Sequence, residues 1–146
     1  MTQIEVGATA PFAVEVLVYE EDTWQMLSAG TRVQEMRESK RDLQHAVESQ
    51  VACFQGDIIR RGSRWFAVIY DVDADMEDTE ATVDLALTNL LLLIKQEEVA
   101  SIGIQALGAF HRHQSPEHFI TKLEQRRRAG QIPDCLQKVW VKVRDL

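Results

Sequence analysis

The alternation of apolar and polar side chains predicts five strands in this chain. In the segment AVEVLVYE (residues 13–20), Val14, Val16 and Val18 share one face, and the opposite face is also apolar. A strand that is apolar on both faces is typical of the centre of a sheet covered on both sides. The other predicted strands are a short candidate at residues 50–54 and longer ones at residues 64–72, 101–107 and 138–146.

Helical periodicity predicts three helices between these strands. Residues 32–49 form a charged segment with a sparse apolar stripe, and residues 80–98 carry the strongest stripe in the chain. A third helix begins at Ser115, with Ser115 as N-cap and Pro116 in the first turn, and Gly130 ends it. Strands that alternate with helices predict an α/β domain with a largely parallel sheet and helices on both faces.

The composition narrows the class of protein. With 146 residues, the chain fits one domain with a single core. The formal net charge of -7 argues against nucleic-acid binding, which needs a basic face. No apolar run approaches the roughly 20 residues that span a membrane, and the N-terminus carries no export signal. We therefore expect a cytoplasmic protein that binds neither nucleic acid nor membrane, with Cys53 and Cys135 as free thiols.

A histidine-rich stretch, LGAFHRHQSPEH (residues 107–118), is a candidate site. His111, His113 and His118, with Glu117, offer imidazole and carboxylate ligands for a transition metal. Their spacing matches no known ligand pattern, so we favour no metal there and keep the metal site as an alternative. A second hypothesis is anion binding by the amide groups that begin the Ser115 helix, with positive charge from the neighbouring loop.

Two groups of acidic residues follow predicted strand ends. One consists of Glu20, Glu21 and Asp22, and the other lies within residues 71–78. Because the carboxyl ends of strands face the ligand crevice in α/β sheets, a divalent-cation site is one interpretation. Solvated acidic loops are the simpler interpretation, and we favour it.

The order of elements and several short segments resemble the macro domain, the ADP-ribose-binding fold. The segment EEVASIGIQALG (residues 97–108) resembles a helix end and strand of that family, and KVWVKVRDL resembles its last strand. VEVLVYEED (residues 14–22) can be laid on the strand that carries the family's paired asparagines. The resemblance implies a three-layer α/β/α domain over residues 1–146, with a mixed, largely parallel central sheet.

The same resemblance implies a rebuilt binding site. The family's asparagines fall on Tyr19 and Asp22, and the region of its adenine-binding aspartate offers only Ala8 or Thr9. An alternative placement puts that motif on residues 56–58. The glycine-loop positions carry the candidate ligand-binding residues Gly30, Gly108, Phe110, His111, Arg112, His113 and Ser115.

Glycine lets backbone amides approach a diphosphate closely, so larger side chains should fill that cradle. We expect Phe110 to turn inward there. Our favoured hypothesis is a non-catalytic module, without a cofactor, that binds a small anionic ligand or a protein partner. The alternatives are a hydrolase or binder of ADP-ribose-type nucleotides, with Asp22 as the candidate catalytic residue, and a structural homo-oligomer.

Overall fold

A computed structural model describes residues 2–28, 53–71, 79–110 and 114–144. The strands are β1 (Gln3–Gly7), β2 (Val16–Asp22), β3 (Ile58–Arg61), β4 (Arg64–Tyr70), β5 (Ser101–Gln105) and β6 (Lys138–Lys142). The helices of these residues are α1 (Thr79–Glu97) and α2 (Pro116–Arg128).

The six strands form one mixed sheet in the order β1-β6-β5-β2-β4-β3. All neighbours are parallel except β3 and β4, which are antiparallel. The predicted mixed, largely parallel sheet is therefore confirmed. Because β2 lies between β5 and β4 and is parallel to both, the carboxyl ends of these three strands lie side by side at the same end of the sheet. We call this end the carboxyl edge.

The two described helices lie side by side and bury an apolar stripe against the sheet. α1 packs on β4 and β3, and it buries Val83, Leu87, Leu90 and Ile94 almost completely. Ion pairs and hydrogen bonds join α2 to α1, including one of 2.9 Å from Lys122 Nζ to Asp84 Oδ2. The burial of the α1 stripe stabilises the fold, because removal of apolar surface from water contributes roughly 25 cal/mol per Å2.

Both faces of β4 are covered. Ala67 and Ile69 belong to the core under α1. Phe66 and Val68 alternate with them and therefore point to the opposite face, yet they are equally buried. This is the burial expected of a sheet with a layer on each side. The helix predicted over residues 32–49 lies outside the described residues.

Local signals placed the ends of α2 correctly. Ser115 is the N-cap, and its Oγ accepts a hydrogen bond from the backbone N–H of Glu117. Gly130 follows the helix with a φ of 70°, in the left-handed region that glycine adopts without steric cost. Both features confirm the sequence prediction.

The sequence prediction missed β1 and β3, and one of its strands is wrong at the described positions. β1 was not predicted, because this edge strand leaves most of its side chains exposed and therefore lacks an apolar signature. The strand candidate at residues 50–54 is not a strand at its described positions, Cys53 and Phe54. On the side away from β2, β4 pairs with β3, and the two form a hairpin through Gly62 and Ser63. Gly62 has a φ of 61°, which such tight turns require.

Within the described residues, no helix has the length and apolar character needed to cross a membrane.

We predict that Gly103→Ala destabilises the sheet. A Cβ at Gly103 would lie 2.8 Å from Cε3 of Trp140 and 2.9 Å from Cδ2 of Leu17, closer than packed atoms tolerate. Overpacking of this kind costs about 1–3 kcal/mol of unfolding free energy, which urea denaturation measures. Gly7→Ala is the matched control, since its nearest neighbour would be 3.7 Å away. Equal stability of the two variants would contradict this account of the packing.

Candidate functional site

Three consecutive carboxylates end β2, and all three are buried. Glu20 is 2% exposed, Glu21 0% and Asp22 4%. The expectation that these residues form a solvated acidic loop is therefore wrong. The physical reason is that backbone N–H groups of two neighbouring loops surround them and replace water as hydrogen-bond donors.

Glu20 joins the loop after β5 to the end of β4. Its Oε1 accepts a hydrogen bond of 2.6 Å from the N–H of Gly108 and one of 3.2 Å from the N–H of Phe110. Its Oε2 accepts one of 2.8 Å from the hydroxyl of Tyr70. Gln105 accepts from the backbone N–H of Glu20 at 2.9 Å. One side chain on the central strand thus fixes the positions of both neighbours at the carboxyl edge.

Asp22 organises the turn that follows β2. Its Oδ1 accepts from the N–H groups of Trp24, at 2.8 Å, and Met26, at 3.1 Å. Its Oδ2 accepts from the N–H of Leu27 at 3.0 Å. Gln25 lies inside this turn with a φ of 56°. The aspartate therefore acts as the centre of a tight turn, a role that aspartate often has.

Glu21 is the least solvated of the three carboxylates. Its Oε1 accepts from the N–H groups of Asp22, Leu27 and Ser28, at 3.1 to 3.3 Å. Its Oε2 is buried and has no hydrogen-bond partner within the described part of the chain. Burial raises the pKa of Glu21, and the neighbouring charge of Asp22 adds to this, whereas the hydrogen bonds from Ser28 and Asp22 oppose it.

Of the ligand-binding residues predicted from sequence, Gly108 and Phe110 meet at Glu20. Gly108 has a φ of 89°, and a Cβ there would lie 2.7 Å from Oε1 of Gln114. Only glycine therefore fits this exit from β5.

The Phe110 side chain is half-buried. Its ring centroid lies 5.4 Å from the guanidinium carbon of Arg144, which also donates a hydrogen bond to the Phe110 carbonyl. The ring is thus held by a cation rather than packed in the core, so it turns inward only in part.

The other predicted residues divide into two sets. Ser115 caps α2, Asp22 holds the turn after β2, and His118 is exposed in the first turn of α2. The remaining candidates, Gly30, His111, Arg112 and His113, lie outside the described residues. The second acidic group lies there too, except for Asp71.

Among the described residues, the carboxyl end of the sheet carries neither a cluster of metal ligands nor a thiol with a lowered pKa. In the described ranges, no group of three or more His, Cys, Asp and Glu side chains is arranged to hold a metal ion. The Cys53 thiol accepts a hydrogen bond of 3.0 Å from Nε2 of Gln25, and burial raises its pKa. A thiol with a raised pKa is a poor nucleophile at neutral pH.

The sequence prediction missed Glu20 as an acceptor for loop amides, together with Tyr70 and Gln105 as its partners. One signal was present. Glu20 follows Val16 and Val18 at spacings of two, which places it on the buried face of the strand. A glutamate on a buried face requires donors, and that requirement could have identified it.

No family model matches the chain, and no curated protein matches it in sequence. Solved structures do match. The macrodomain of Thermus aquaticus DarG aligns with a TM-score of 0.67 at 18% identity, covering 99% of this chain and 100% of that one. The Mycobacterium tuberculosis DarG macrodomain gives 0.68 at 15%, with the same coverage. The protein has the macro-domain fold. Its architecture is accordingly a three-layer α/β/α arrangement.

A third structure links this fold to a ligand. It is a substituted macrodomain of Oceanobacillus iheyensis with ADPR, aligned with a TM-score of 0.60 at 17% identity over 97% of this chain and 84% of that one. The resemblance seen in sequence places the second glycine loop of the family on residues 108–113. Within residues 108–113 of this protein, the N–H groups of Gly108 and Phe110 donate hydrogen bonds to the Glu20 carboxylate.

We predict that Glu21→Gln changes how stability depends on pH. Because the folded-state pKa is raised, the contribution of Glu21 to stability is fully present below the unfolded pKa of about 4.3 and is lost as pH rises through the folded value. Glutamine does not titrate. The unfolding free energy of the wild type minus that of the variant should therefore fall as pH increases above about 4. Urea denaturation at a series of pH values measures this difference, and a constant or rising difference would refute the assignment.

Proposed function

We propose that the protein is a non-catalytic binding module whose crevice is closed to ADP-ribose-type ligands in their usual macro-domain position. The observation that carries this proposal is the Glu20 carboxylate on the N–H groups of Gly108 and Phe110. A diphosphate in the second loop needs donors of this kind. Here they already have a negatively charged acceptor from the same chain.

The free-energy cost of placing a phosphate beside Glu20, or of displacing Glu20, is large enough to prevent tight binding of a diphosphate in the crevice. Two like unit charges 4 Å apart repel by about 4 kcal/mol at an effective dielectric constant of about 20. Displacing Glu20 instead would break charged hydrogen bonds, each with a net contribution of about 1.5–3 kcal/mol. The repulsion alone corresponds to roughly three powers of ten in Kd, the difference between micromolar and millimolar binding, and loss of the hydrogen bonds from Gly108, Phe110 and Tyr70 would cost at least as much.

The hydrolase alternative receives less support from the position of Asp22. Both of its carboxylate oxygens accept backbone N–H groups of the following turn. A general base needs an oxygen within hydrogen-bond reach of the proton that it removes. An aspartate committed to Trp24, Met26 and Leu27 is better suited to shaping the turn than to activating water.

A protein partner fits the surface better than a small anion. Trp24, Met26 and Phe54 are each more than 60% exposed. The two segments that carry them are joined by the hydrogen bond from Gln25 to Cys53. Large exposed apolar side chains are more typical of protein-binding surfaces than of sites for small anions.

Calorimetric titration with ADP-ribose tests the proposal. We expect a Kd no tighter than about 1 mM, or about -4 kcal/mol. The substituted Oceanobacillus iheyensis macrodomain that was solved with ADPR is a suitable positive control for the ligand. Micromolar binding by the wild-type protein would overturn the proposal. Release of ADP-ribose from a modified protein by the wild type, but not by Asp22→Asn, would support the hydrolase instead.

A further inference from the structure

We propose that Glu20 is the built-in ligand of an oxyanion site, and that a small carboxylate or phosphate occupies this site when the side chain is removed. The site consists of the N–H groups of Gly108 and Phe110 and the hydroxyl of Tyr70. This inference rests on the proposed function, in which the Glu20 carboxylate occupies the donors that a ligand in the crevice would need.

The donors converge on one carboxylate from two sides. The Gly108 and Phe110 N–H groups reach Oε1 at 2.6 and 3.2 Å, and the Tyr70 hydroxyl reaches Oε2 at 2.8 Å. Convergent N–H and O–H groups are the usual protein receptor for an oxyanion, and hydrogen bonds to ionised acceptors are the stronger ones. The Glu20 carboxylate is therefore bound as a free anion would be, except that it is covalently part of the chain.

The donors are held by contacts that do not involve Glu20. Ala106, just before the loop, donates to the Lys142 carbonyl at 3.0 Å, and Ala109 donates to the Ala106 carbonyl at 3.0 Å. The Tyr70 carbonyl accepts from the Thr23 N–H at 2.9 Å, and the Tyr70 side chain is buried. Truncation of Glu20 should therefore leave the donors near their present positions.

The size of the vacated space defines the class of ligand. Glu20→Ala keeps Cβ and removes two carbons and two carboxylate oxygens, which are the heavy atoms of acetate. The N–H groups of Gly108 and Phe110 would lose the carboxylate that accepts from them, a loss that costs free energy and favours binding of another acceptor. Acetate matches the lost fragment, and inorganic phosphate offers similar oxygens on a tetrahedral centre.

Thermal unfolding of three proteins tests the proposal: wild type, Glu20→Ala and Glu20→Gln. Each is measured in sodium acetate, in sodium phosphate and in sodium chloride at equal ionic strength. We expect acetate and phosphate to raise the Tm of Glu20→Ala above its value in chloride, with saturation as the concentration increases. In wild type and in Glu20→Gln, acetate and phosphate should produce no saturating rise in Tm above the value in chloride. The reason is that a side-chain oxygen still fills the site in both proteins.

Two further measurements keep the test decisive. If Glu20→Ala folds poorly, its refolding yield in acetate relative to chloride replaces the Tm. In folded protein, the amide resonances of Gly108 and Phe110 should shift on acetate addition in Glu20→Ala alone. No specific gain in Tm or yield, or the same gain in wild type, would overturn the assignment of the site. This failure is distinct from failure of the proposed function, which micromolar ADP-ribose binding by the wild type would show.

Discussion

A single buried carboxylate determines the arrangement of the carboxyl edge of this sheet. Glu20 accepts hydrogen bonds from the loop after β5 and from the last residue of β4, so it holds three adjacent strands in a fixed relation. An ionised group in this position is tolerated only because donors replace its lost hydration. The positions of Gly108 and Phe110, and thus the shape of the crevice, follow from that requirement.

The sequence predicts most of the fold because the spacing of apolar residues along a strand or helix shows which of its side chains are buried. The central strands and α1 show continuous or periodic apolar positions, and Ser115 and Gly130 mark the ends of α2 by cap chemistry that acts over a few residues. β1 escaped prediction because an edge strand has little to bury. The predicted strand ends differ from the observed ones by up to four residues, since side-chain alternation does not reveal where pairing begins or ends.

The site was less predictable, because its interactions join distant parts of the chain. Glu20 lies 88 residues from Gly108 and 50 from Tyr70. Nothing in the local sequence around Glu20 marks these partners; only its place on a buried face hints that partners exist. The chain shares its fold with two solved macrodomains at only 15–18% identity, so the fold by itself does not specify which side chains line the crevice. This is the usual separation between a scaffold and the sites that it carries.

The pairing of β1 with β6 has a consequence for synthesis of the chain. Thr2 donates a hydrogen bond to the carbonyl of Leu136, 134 residues later. At roughly 5–20 residues per second, the first strand leaves the ribosome on the order of ten seconds before its neighbour does. Until β6 has been synthesised, β5 lacks one of its two neighbouring strands and exposes unpaired backbone N–H and C=O groups on that side. The nascent domain is therefore most open to pairing with other chains just before its last strand is made.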